Sequence, residues 1–353
     1  MEPTKPKFTW KTILFPLLGL VGFFLYLYIF QVDIIAIIQT AQTANPIFFS
    51  LAALCGLIEV LFYTISWRTL TNHLKIKMTL KRAYLYVWYG LYVDIIVPAE
   101  SVSGEITRTY LLMRDQCGSC GKIVASLFTH RLLGMAMNVA VLILGVVLLS
   151  MEGQISAVIF NLIFFITAAI TALTIVLTLI SFKKDWALKI VNWTTNFANK
   201  ISRGKWTLIK FKEQAIEITN HFHESMTEFR HNKKPLAISF FYLAITWLFS
   251  LSIAYLVFQS LEYPVSWSIL LITAAIVLAV KSIPIGIPFE IGIPEATMTT
   301  LYIAMGINPA VAATATILTR IITLWFRFFI GFVAQQYIEL KPTIIKAANN
   351  TKN

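Results

Sequence analysis

Charge is scarce in this chain. Asp, Glu, Lys and Arg make up 13% of its 353 residues and apolar residues 58%, where soluble domains carry about 25% and roughly half. The shortage excludes a water-soluble enzyme and places the chain in hydrocarbon. Acidic residues are the rarer sign, 17 against 29 Lys and Arg, a formal net charge of +12. That excess does not indicate nucleic-acid binding, because most Lys and Arg fall in short stretches between apolar runs, where they set membrane orientation. Cysteine is also sparse, at three. Cys55 lies in an apolar helix. Cys117 and Cys120 form a lone CxxC with no second pair and no His at ligand spacing, so they read as two reduced loop thiols, and no metal or cofactor is expected. The length suits one membrane domain over 1–353 and is too short for a sizeable soluble enzyme as well.

Long apolar runs are what the chain has instead. Those near 13–31, 46–67, 123–150, 155–182, 236–261 and 308–338 reach the roughly 20 residues that a crossing requires. The first follows Lys5, Lys7 and Lys11 but lacks a small-residue cleavage site, so it reads as a membrane helix and not a signal peptide. Two further apolar stretches, 83–97 and 265–287, run into "PAESVSGE" (Pro98–Glu105) and "PFEIGIPE" (Pro288–Glu295). Each octapeptide places two carboxylates at membrane depth.

Loop charge orders these segments. The amino terminus, 68–82, 114–122, 183–234 and the tail are basic, whereas 32–45, 151–154, 262–264 and 306–309 contain no Lys or Arg. The first set is predicted cytoplasmic and the second external, with both termini cytoplasmic and the plasma membrane as the location. The chain leaves the cytoplasm at 83 and is back by Arg114, too soon for two crossings, so 83–113 is predicted to be a re-entrant hairpin open to the cytoplasm. By the same logic 265–305 is a second one, open outward. The predicted fold is thus all-α and polytopic, with six full spans and two opposed hairpins, eight membrane segments by a simple count. The segment 183–234 mixes aromatic and basic residues. It suits either amphipathic helices on an anionic leaflet or a small helical hairpin packed on the bundle, and it is where a cytoplasmic partner would bind.

The two hairpins repeat. An offset of 190 matches Pro98, Glu100, Glu105, Thr107, Thr109 and Leu111 to Pro288, Glu290, Glu295, Thr297, Thr299 and Leu301. This predicts inverted repeats over about 83–150 and 265–338. Each unit leads into a long helix carrying an arginine. At 1.5 Å per residue, Arg131 lies about 13 Å in from Lys122 and Arg320 about 18 Å in from Asn308. An isolated arginine there costs at least about 2.5–3.5 kcal/mol, so each needs a partner or water. The candidate site is therefore Glu100, Glu105, Arg131, Lys281, Glu290, Glu295 and Arg320, near Asp94 and His130. Half-helices starting after Ser103 and Pro294 would aim their positive ends at it, which suits an anionic head group. Arg108 and Arg327 fit either a pathway or a structural place. The plain alternative is that Glu–Arg pairs only hold helices together.

Pro98–Glu105 with the following "RTYLL", "HRLLG" at His130–Gly134, "IPIGIPFEIGIPE" at Ile283–Glu295 and "LTRIITLW" at Leu318–Trp325 resemble the membrane domain of the lysylphosphatidylglycerol synthase family, also known as UPF0104 or flippase-like. The resemblance spans essentially the whole chain. In bifunctional members a soluble aminoacyl-transferase domain makes an aminoacylated lipid and the membrane domain flips it. The chain has no room for that soluble domain, so the resemblance implies a lipid-moving part alone, with phosphatidylglycerol or a polyprenyl phosphate as cargo. Two other readings stay open: a membrane-embedded glycosyl- or aminoacyl-transferase using the carboxylates, and a scaffold that recruits a partner through 183–234.

Overall fold

A computed structural model of the chain describes residues 35, 39, 42–97, 102–152, 157–182, 209–281 and 292–350. The described residues are all-α, with no strand among them. Five helical stretches are long and apolar enough to cross a membrane: Pro46–His73, Cys120–Met151, Ile163–Ser181, Lys234–Ser260 and Pro309–Leu340. They coincide with five of the six predicted spans. The predicted first span, 13–31, lies outside the described residues.

The first helix, α1 (Pro46–His73), begins where the Asn45 side chain accepts from the Ile47 amide and Pro46 occupies the first turn, a pairing that satisfies an otherwise orphaned donor and needs no N–H from the proline. After a short basic loop come α2 (Leu80–Ile96) and α3 (Val102–Arg114). They form an antiparallel hairpin. Tyr86 near the start of α2 hydrogen-bonds Asp115 after the end of α3, and Asp94 near the end of α2 accepts from Ser103 and Gly104 at the start of α3. The close crossing depends on glycine: a Cβ on Gly104 would lie 2.6 Å from the Gly90 carbonyl oxygen.

Then α4 (Cys120–Met151) crosses to the other end, and α5 (Ala157–Phe182) returns with Phe164, Phe165, Leu173, Ile175, Val176 and Leu179 exposed. That helix is apolar around most of its surface, as a peripheral span facing lipid should be. The next helix, α6 (Ile209–His231), lays its apolar face on α4. Gly121 leaves room for it, since a Cβ there would meet the Ile218 carbonyl oxygen at 2.5 Å, and Phe222 packs edge-on against Phe128 at 5.6 Å. Glu213, Glu217 and Glu224 face outward. Over 209–231, then, this segment is a single helix packed on the bundle, while 183–208 lies outside the described residues.

The second half has the same order of parts. α7 (Lys234–Ser260) is a full span. α8 (Trp267–Lys281) and α9 (Ile293–Ala304) stand on either side of 282–291, as α2 and α3 stand on either side of 98–101, and a long helix follows, built from α10 (Pro309–Arg320), a π-helix (Ile321–Phe326) and α11 (Arg327–Asn350). The corresponding spans α1 and α7 run antiparallel: Ser66 meets Ser239 at 2.8 Å, and the Asn45 amide donates to the Ser260 carbonyl at 2.7 Å.

The halves interlock. The outer hairpin helix α2 packs on α11 of the second half, where Gly331 sits against the Trp88 carbonyl and Tyr92. Reciprocally, α8 packs on α4 of the first half, where Gly145 sits against Leu271 and Ile272. Contacts also sort the loops by end. Lys77 bonds Cys117, Arg114 pairs with Glu339 at 3.1 Å and His73 approaches Glu228 at one end. Glu152 accepts from Ser268 at the other. The loops predicted from their charge to share a side thus share an end of the bundle.

Overpacking a close crossing costs about 1–3 kcal/mol. Gly104→Ala is therefore expected to lower the thermal unfolding midpoint in detergent. Gly134→Ala, where a Cβ meets nothing within 4 Å, should leave the midpoint unchanged or raise it.

Candidate functional site

Arg131 stands eleven residues beyond Cys120, and Arg320 stands eleven beyond Pro309. Each is thus about 16 Å along its helix, one from the basic end of the bundle and one from the other. At that depth each faces a carboxylate from its own unit's hairpin. Arg131 Nη1 lies 3.5 Å from Glu105 Oε2, and Arg320 Nε lies 2.5 Å from Glu295 Oε1. The two pairs differ in their surroundings. Glu105 and Arg131 keep 22% and 33% of their side-chain surface, whereas Glu295 and Arg320 keep 3% and 8%. One pair is loose and partly open; the other is tight and sealed.

The hairpin helices start differently from what their repeated sequence suggests. The positive amino end of α3 is occupied by the chain's own Asp94, whose Oδ1 accepts from Ser103 Oγ at 2.7 Å and from the Gly104 amide at 2.6 Å. At α9 the Glu295 carboxylate reaches back to the Gly292 amide at 2.7 Å. Gly292 has φ +104°, which favours glycine because a Cβ would be strained there. At both helix starts, where the sequence points to an anionic head group, an internal carboxylate is already bonded.

A third ion pair joins α1 to α11, with Arg327 bonded to Glu59. The π-helix explains how Arg320 and Arg327 find different partners. Seven residues apart on a regular α-helix they would share a face, and the wider turns between them shift Arg327 toward α1. Glu59 is the one charged residue within 46–67, a signal that reading the hairpins alone passes over.

Arg108 takes the structural alternative. It is buried, it lies 5.1 Å above the Trp67 ring and 5.9 Å from the Tyr63 ring, and its Nε bonds the Gly104 carbonyl. Stacking of this kind holds a desolvated guanidinium, and here it ties α3 to α1. His130 is likewise structural, buried against Tyr63 and bonded to Ser66 at 3.1 Å. Lys281 ends α8 half-buried. Glu100 and Glu290, predicted at the tips, lie outside the described residues. Cys117 and Cys120 are free thiols.

Comparison with known proteins agrees with this architecture. Residues 13–331 match the family described as the lysylphosphatidylglycerol synthase TM region. A UPF0104 membrane protein of Pyrococcus horikoshii is 25% identical over 298 residues, covering 83% of this chain and 88% of the relative. Others of that name from Methanothermobacter thermautotrophicus and Methanocaldococcus jannaschii are 22% and 23% identical, covering 84% and 86% of this chain and 87% and 88% of their own lengths. The chain belongs to the lysylphosphatidylglycerol synthase TM family and is a multi-pass membrane protein.

Removing one member of a buried ion pair typically costs about 3–5 kcal/mol, whereas replacing both members with apolar residues is often neutral. Glu295→Ala is expected to cause a loss of that order, and Glu295→Leu combined with Arg320→Met should recover most of it. Glu105→Ala, in the open pair, should change stability by less than about 1 kcal/mol. Thermal unfolding of the three variants measures the contrast.

Proposed function

We propose that the protein moves the polar head group of a membrane lipid between leaflets, past the two broken hairpins, while the lipid's hydrocarbon chains stay in the bilayer. The observation that carries this reading is the inequality of the two matched pairs. Two units of the same order, with corresponding spans antiparallel and mid-depth pairs reached from opposite ends, read as inverted repeats of the kind around which secondary transporters alternate. In such a device one half is open while the other is closed. Here Glu105–Arg131 is the open half and Glu295–Arg320 the closed one.

The chemistry follows from the loose pair. A phosphate entering from the basic-loop end meets Arg131 in a partly desolvated setting, where a charge-assisted hydrogen bond is stronger than in water. Glu105 is released from part of its pairing and receives any ammonium or hydroxyl the head group carries. Closing that half while Glu295 and Arg320 separate would present the head group to the opposite leaflet. A zwitterionic or anionic phospholipid and a polyprenyl-phosphate lipid both satisfy this pattern. The basic loops support a reading in which the open half faces the cytoplasm and both termini lie there.

Reconstituted liposomes carrying fluorescent phospholipids or polyprenyl phosphates provide the test. Wild-type protein is expected to accelerate leaflet exchange of at least one of them. Glu105→Gln and Arg131→Gln, folded and inserted, should each reduce that rate by tenfold or more, since each removes an interaction worth about 1.5–3 kcal/mol. Undiminished exchange in both variants would sink the assignment.

A further inference from the structure

On another face of the bundle, where α6 ends and α7 begins, α4, α6 and α7 enclose a groove of about 620 Å³, a size common for ligand sites. Arg230 and Lys233, both exposed, are among the residues that line it. Its floor is apolar, formed by Phe229 of α6, by Leu236, Ala237 and Phe240 of α7, and by Leu133 of α4. None of these residues belongs to the paired carboxylates and arginines described above.

The order of these residues along the membrane normal is informative. Asn232 accepts from the Lys234 amide at 3.1 Å, and Pro235 starts the apolar span. The turn from α6 into α7, with Arg230 and Lys233 beside it, is thus where polar residues give way to the apolar span. Leu236, Ala237 and Phe240 occupy the first two turns inside. Going inward, the groove presents two cations and then only apolar side chains. On the same helix Phe241 and Leu248 are exposed, so the groove opens among lipid-facing residues.

We propose that this groove is a binding site for an anionic membrane lipid, with the phosphate at Arg230 and Lys233 and one hydrocarbon chain along Leu236, Ala237 and Phe240. Basic pockets between spans on the cytoplasmic side hold anionic lipid head groups by this arrangement. A lipid chain is already in hydrocarbon before it enters, so the apolar floor supplies fit and little selectivity. The head-group charge supplies the selectivity, roughly fivefold for each basic residue. Leu133 lies two residues beyond Arg131, about 200° around α4. The bound lipid would therefore brace the helix that carries the open pair, from its opposite side.

Native mass spectrometry of the full chain tests this, after incubation with equal amounts of phosphatidylglycerol and phosphatidylcholine of distinguishable chain length. Wild-type protein is expected to retain phosphatidylglycerol at least fivefold over phosphatidylcholine. Arg230→Glu combined with Lys233→Glu should abolish the preference, and Ala237→Trp, which fills the groove and leaves the charges in place, should lower the number of retained lipids. Equal retention of the two lipids by wild type would overturn the proposal. So would a preference that survives both variants, or a groove covered by a second copy of the chain, seen as a dimer that loses no lipid on Ala237→Trp.

Discussion

A guanidinium in hydrocarbon must be met by a carboxylate or an aromatic face, and much of this fold follows from that requirement. Arg131, Arg320 and Arg327 each meet a glutamate from a different helix, and Arg108 lies over Trp67 and Tyr63. Two of the glutamates arrive on helices too short to cross a bilayer. Those helices follow breaks, and breaks at membrane depth are tolerated where protein or water satisfies the freed backbone groups. Asp94 and Glu295 do so, each bonding the first amides of the helix it caps. The same side-chain type therefore solves two problems here, closing helix ends and neutralising arginines.

Interlocking gives these pairs a mechanical consequence. The hairpin helix α2 lies on α11 and α8 lies on α4, so each hairpin packs on the long helix of the other half. A hairpin cannot shift without pushing the helix that bears the other unit's arginine, because packed interfaces switch between discrete arrangements more readily than they deform. The glycines at these contacts, Gly145 and Gly331, bring the backbones close, the usual device where lipid offers no hydrophobic drive for helix association. Such coupling is what the proposed exchange between an open and a closed pair needs.

Much of this was legible in the residues themselves. Length and apolarity located the five spans among the described residues, because a bilayer imposes nearly one length on every crossing helix. Loop charge predicted which loops share an end. Counting depth put both arginines at mid-membrane near the hairpin carboxylates, without assigning which glutamate meets which arginine. Azimuth was not legible. Depth alone could not place Glu59 against Arg327, since that contact depends on a π-helix no spacing announced. Nor could it show Asp94 on the α3 terminus, because the capping residue comes from a neighbouring helix and not from the local sequence. The apolar face of α6 was readable, but whether it lies on lipid or on α4 depends on Gly121 clearing space, a matter of packing.

The proposed exchange requires the two halves to differ in access at any moment. Thr109 and Thr299 occupy matching places one turn beyond the paired glutamates, the first half-buried and the second fully buried. In protein freed of its native cysteines and inserted in vesicles, cysteines at these two positions can be labelled from either side with an impermeant thiol reagent. The account predicts that Thr109→Cys reacts from the basic-loop side only, while Thr299→Cys reacts slowly and only from the opposite side. Labelling of both positions from the same side, at similar rates, would contradict it.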